Sequence, residues 1–189
     1  FKVFPRAGND GSVIISAIEK SYDLDGDGCI WIGPNSEGVD GQGNSCVEES
    51  MGEDKADIIS MSLGTTAPGP YPPFDDAVNT AVDNLVVAVV AAGNCGPQGN
   101  PSQCVKLGDE TITSPGTAKN AITVGASDKF DQIAGFSSRG PVIWQDEQGD
   151  EQGNEQAIIK PDIVAPGVNI CAAQYDDAFE NYGADGNCN

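Results

Sequence analysis

The stretch Asn84-Leu-Val-Val-Ala-Val-Val-Ala-Ala-Gly-Asn94 constrains this chain more than any other. It is built of β-branched and small apolar residues without a charge, the pattern of a strand buried on both faces of a parallel sheet in an α/β domain. It ends in Ala91-Ala92-Gly93-Asn94. Small side chains there let another backbone come close, and a carboxamide stands at the strand's carboxyl end. That edge is where open α/β sheets bind ligands.

The neighbouring segments read as partners of this strand. Ala56-Asp-Ile-Ile-Ser-Met-Ser-Leu-Gly64 is a second buried strand, and Phe74-Asp-Asp-Ala-Val-Asn-Thr-Ala-Val-Asp83 is a helix with Phe74, Ala77, Val78, Ala81 and Val82 on one face. Strand, helix and strand make a parallel crossover. Further strands are expected at residues 121–126 and 161–167. Earlier in the chain, Ser12 is placed to cap a helix over residues 13–20. Phe1-Lys-Val-Phe4 reads as the end of a strand already under way, so the chain is expected to be a piece of something longer.

Charge narrows the partners. With 9 basic and 29 acidic residues the formal net charge is -20, which makes nucleic acid and anionic membrane surfaces poor partners, since both need basic patches. No apolar run approaches the ~20 residues needed to cross a bilayer, so no membrane insertion is expected. Asp23-Leu-Asp25-Gly-Asp27-Gly28 sets three carboxylates at alternate positions before a glycine, an oxygen-rich loop suited to Ca²⁺. The twelfth position of that loop is Pro34 rather than an acid, leaving Glu37 or Asp40 as late ligands, and a plain acidic turn is the alternative. Cys29, Cys46, Cys95, Cys104, Cys171 and Cys188 form no C-x-x-C pair, and the chain has no histidine. A zinc site is therefore not expected. Nearest-neighbour disulfides would each bracket a Gly/Asn/Asp-rich loop and imply an oxidising compartment, secreted or at the cell surface.

Six blocks together resemble the subtilisin-like serine protease family in content, order and approximate spacing. They are Ile59-Ser-Met-Ser-Leu-Gly64, Val90-Ala-Ala-Gly-Asn94, Ser114-Pro-Gly116, Ile122-Thr-Val-Gly-Ala126, Phe136-Ser-Ser-Arg-Gly-Pro141 and Lys160-Pro-Asp-Ile-Val-Ala-Pro-Gly167. The resemblance covers residues 1–4 and 56–171. It implies an α/β fold, the parallel-sheet three-layer sandwich of subtilisins with an incomplete core. A surface insertion at about 23–54 and an acidic loop at about 145–156 interrupt one partial peptidase domain over residues 1–189.

The resemblance also implies roles. Asn94 matches the asparagine whose side-chain amide donates to the oxyanion of the tetrahedral intermediate. Ser62, Leu63 and Gly64 match the segment that holds an extended peptide or protein substrate as an added strand. Ala91, Ala92, Gly93 and Thr113 match walls of the pocket for the residue before the scissile bond. Asp162, with carbonyls near Gly116, Ala118 and Ala121, falls where some relatives bind a cation; a loop cap is the alternative.

One departure is large. The family mechanism needs serine, histidine and aspartate, and no histidine is present. Ser60, Ser62, Ser137 and Ser138 do not begin a helix after a Gly-rich turn and are not nucleophile candidates. The chain alone is expected to be inactive, a central fragment of a secreted serine endopeptidase whose flanking segments carry the triad. A catalytically dead peptide-binding module at the cell surface is the alternative, and a Ca²⁺-dependent acidic surface domain a more distant one.

Overall fold

A computed structural model describes residues 11–22, 56–145 and 155–170. The opening stretch at 1–4, the loop with Asp23, Asp25 and Asp27, the excursion at 23–54, and Cys29, Cys46, Cys171 and Cys188 lie outside these residues. So does the acidic stretch at 146–154.

Four short parallel strands make the sheet: β1 (Ile58–Met61), β2 (Val87–Ala91), β3 (Ile122–Ser127) and β6 (Ile163–Pro166), adjacent in that order. Ile58 pairs with Val87, Val89 with Ile122, and Val124 with Ile163. Helix α1 (Gly11–Glu19) precedes the sheet, and α2 (Pro72–Asp83) joins β1 to β2. This is the α/β parallel-sheet fold expected. Between β3 and β6, an antiparallel hairpin of β4 (Val142–Gln145) and β5 (Glu155–Ile158) brackets the acidic stretch, whose outermost expected residues therefore belong to strands.

Helix α2 is specified at both ends. Pro72 and Pro73 open it where helical amides lack partners anyway, and the Asp75 carboxylate reaches back to the Tyr71 amide at 2.7 Å. At the other end Leu85 takes a left-handed conformation, φ 65°. The Val86 amide then returns to the Ala81 carbonyl and the Leu85 amide to that of Val82, a Schellman closure. Residues 84–86 thus end the helix instead of starting the strand. Likewise Ser12 lies inside α1 and not before it.

Ile14, Ile18, Phe74, Val78 and Ala81 from the helices pack against Met61, Ala88 and Val90 on one face of the sheet. Among the described residues both helices lie on that side. The central strand consequently differs from expectation: its alternate residues are buried, but Val87 is 43% exposed. Ile58 (62%), Ile122 (39%) and Ile163 (52%) stand on the same open face. No helix among the described residues is long and apolar enough to cross a membrane.

Candidate active site

Strand β2 delivers Gly93 and Asn94 to the carboxyl edge of the sheet, where two clefts meet. The larger, about 400 Å³, runs across the ends of all four parallel strands, from Ser60–Ser62 over Ala91–Asn94 to Val124–Ala126 and Ala165–Gly167. The smaller, about 230 Å³, is walled by residues 62–66, by Gly93, Asn94 and Cys95, and by Gln103, Cys104 and Thr113. Ser62, Ala91, Gly93 and Asn94 belong to both. Asn94 is exposed and lines both clefts at their junction.

The residues expected to hold substrate converge here. Ser62, Leu63 and Gly64 leave β1 and border the small cleft with Ala91, Gly93 and Thr113. Ala92 turns otherwise: its side chain is buried with Ile112 and Val142, while its amide donates to Val124 O and its carbonyl accepts from the Thr113 amide. It ties the wall residue Thr113 to β2 through the backbone. Glycine is required at two of these positions. A Cβ on Gly64 would lie 2.5 Å from Thr113 Oγ1, and one on Gly93, at φ 105°, would meet Thr113 Oγ1 and Ser138 Oγ at 2.8 and 2.9 Å.

Three supports stand behind this edge, of which those of Ser138 and Asp75 were not foreseen from the sequence. Ser138 is buried; its amide donates to Gly93 O at 3.0 Å and its hydroxyl accepts from the Cys95 amide at 2.9 Å. One residue thus grips the chain on both sides of Asn94. The Cys95–Cys104 disulfide, with Cα atoms 5.6 Å apart, closes the loop beyond and forms part of the small cleft. Nearest-neighbour pairing is what the sequence suggested for these two.

The third support is Asp75. Fully buried, it accepts from Ser114 Oγ at 2.9 Å and Thr117 Oγ1 at 2.8 Å as well as from the Tyr71 amide. Burial pushes its carboxyl up from the ordinary aspartate range, against the opposing effect of these bonds. It anchors the turn that follows Thr113 to the start of α2. The sequence signal was an acid in a helix's first turn, which reads equally well as dipole compensation.

Asp162 stands apart from the clefts. Its Oδ2 accepts from the Thr123 amide at 2.6 Å and from Lys160 Nζ at 2.8 Å. Desolvation pushes its carboxyl up, but the Lys160 hydrogen bond, the Thr123 amide and the ammonium's charge outweigh it and hold it below the usual range. Among the described residues no group of three or more His, Cys, Asp or Glu side chains is gathered to hold a metal ion.

The model of the subtilase family matches residues 9–187. Among curated proteins the chain is similar to the serine protease AprX of Bacillus subtilis, 35% identical over 147 residues, covering 71% of this chain and 28% of that protein. It is 36% identical over 151 residues to subtilisin-like protease 2 of Pseudogymnoascus destructans, covering 79% of this chain and 28% of that protein. Pyrolysin of Pyrococcus furiosus is 37% identical over 147 residues, with 61% of this chain and 9% of that protein covered. The chain spans less than a third of the length of each of these relatives. A sheet edge of this construction, under a family match over nearly the whole chain, has one reading: the chain belongs to the subtilase family.

Proposed function

We propose that this chain is the substrate-binding core of a secreted or cell-surface serine endopeptidase of the subtilisin type. The carrying observation is the junction at Asn94, where the two clefts share Ser62, Ala91 and Gly93. An extended peptide lies along residues 62–64 as an added strand, its backbone bonds independent of sequence. The side chain before the scissile bond enters the smaller cleft between Gly64, Gly93 and Thr113. As a serine attacks the carbonyl carbon, negative charge gathers on the carbonyl oxygen and the Asn94 amide donates to it. The acyl-serine then forms as the amine leaves, and water releases the acid.

Serine, histidine and aspartate of that reaction come from other segments of the same polypeptide, since no histidine is present, and the chain alone does not hydrolyse peptides. The open face with Ile58, Val87, Ile122 and Ile163 supports this reading, because a parallel sheet is ordinarily covered on both sides. The Cys95–Cys104 bridge suits an oxidising compartment. Asp23, Asp25 and Asp27 hold a Ca²⁺ that stiffens the inserted loop. EDTA should therefore lower the unfolding midpoint of the whole polypeptide, and Asp25→Asn should remove that dependence.

The test is labelling of the whole polypeptide with a serine-directed fluorophosphonate. Labelling at one serine outside this chain, blocked by a peptide aldehyde, supports the peptidase. A folded, complete polypeptide that takes no label, and whose sequence lacks the triad residues, leaves a peptide-binding module instead.

A further inference from the structure

Lysine is seldom buried, and a buried ammonium needs oxygens around it. Lys160 is such a case: its side chain is 2% exposed, and Nζ donates to Ala121 O at 2.6 Å and Asp162 Oδ2 at 2.8 Å. These are two of the four oxygen positions that the family resemblance offers to a cation. A third, the Gly116 carbonyl, accepts from Thr123 Oγ1 at 2.6 Å. The Thr123 amide in turn binds the same Asp162 oxygen that Lys160 uses. The oxygens are present, but a buried ammonium already sits among them, and a metal ion beside it would be repelled by that charge. The residues therefore do not fit a metal here.

We propose that the Lys160 ammonium is the resident cation of this site, carried by the chain itself, and that removing it uncovers a latent site for a small inorganic cation. The consequence reaches the clefts. Lys160 and Asp162 hold Ala121 and Thr123, Thr123 holds Gly116, and Gly116 packs against Ala91 O and Thr113 O, where a Cβ would come within 2.7 and 3.0 Å. A tethered cation fixes this wall whatever the salt outside. This inference rests on the ammonium's contacts and not on the peptidase reading.

The test compares unfolding midpoints of the whole polypeptide in tetramethylammonium, sodium, potassium and calcium chlorides at equal ionic strength. Four proteins are needed: wild type, Lys160→Ala, Asp162→Asn, and Lys160→Ala with Asp162→Asn. Lys160→Ala should melt lower in tetramethylammonium and regain about 2–8 °C in at least one small cation. The double variant should show only the cation response that wild type and Asp162→Asn share, which subtracts any other metal site. Lys160→Met, which keeps the aliphatic stem, is read in the same way if Lys160→Ala does not fold. Three results overturn the proposal: a cation response of the wild type that Asp162→Asn abolishes, equal responses of the single and double variants, or failure of both Lys160 variants to fold in every salt.

Discussion

The hydroxyl of Ser138 accepts the Cys95 amide at 2.9 Å from 43 positions away in sequence, while its own amide holds Gly93 O at 3.0 Å. Asn94 is thereby pinned at both flanking residues by one side chain and one backbone group. An oxyanion donor contributes through a fixed position, because reorganisation at the moment of reaction would consume the gain.

Ser138→Ala removes half of that grip and leaves the buried Cys95 amide without its partner, at a cost of ~1–3 kcal/mol. If the whole polypeptide is the peptidase we propose, kcat should fall by roughly tenfold or more with KM little changed. Steady-state kinetics on one peptide substrate checks this. A change confined to KM would show that Ser138 shapes the cleft instead of holding Asn94.

Asp75 carries a sign that pH can read. Burial raises its carboxyl, and Asp76 adds to the rise. A group whose pKa is raised by folding supports the fold fully below its unfolded value of ~3.9, and that support is lost as pH rises through the folded pKa. The stability of wild type relative to Asp75→Asn should therefore decline as pH is raised from about 4, then level off. Denaturant unfolding across that range measures it, and a difference that grows with pH would contradict the assignment. Asp75→Ala should be destabilising at every pH, by ~1–3 kcal/mol for each of its donors left buried and unpaired.

Gly64→Ala tests the smaller cleft. Its new methyl would press on Thr113 Oγ1 from 2.5 Å, narrowing the space between residues 64 and 113. Peptides with a large side chain before the cleaved bond should lose roughly 10–200-fold in kcat/KM relative to peptides with a small one. Equal losses for both would place that side chain elsewhere.

What the sequence disclosed and what it hid follow from the range of each interaction. The four parallel strands were legible as charge-free apolar runs, and α2 because burial on a helix imposes a period of 3.6 on neighbouring residues; β4 and β5 were not. At 91–93 the run of small side chains signals a close approach by itself, whereas the roles expected of 62–64 and Asn94 came from the resemblance of their blocks to the family. The cap of α2 was not legible, since Leu85 takes a conformation usually left to glycine. Ser138, Asp75 and Lys160 escaped for another reason. Cys95 lies 43 positions from Ser138, Ser114 39 from Asp75 and Ala121 39 from Lys160, and a lone serine, aspartate or lysine has no local pattern to mark such distant contacts. The open sheet face escaped because an apolar run reads the same whether one or both faces are covered.

The most direct measurement is the kcat of the whole polypeptide and of its Asn94→Ala variant on an extended peptide substrate. Loss of one such donor costs roughly 10²–10³ in kcat, a magnitude that comes from a member of this same family. With Asn94 as the proposed oxyanion donor, kcat should fall by that much with KM nearly unchanged, because such a donor meets the charge only as it forms. A polypeptide with its triad intact whose Asn94→Ala variant cleaves as fast as the wild type would contradict it.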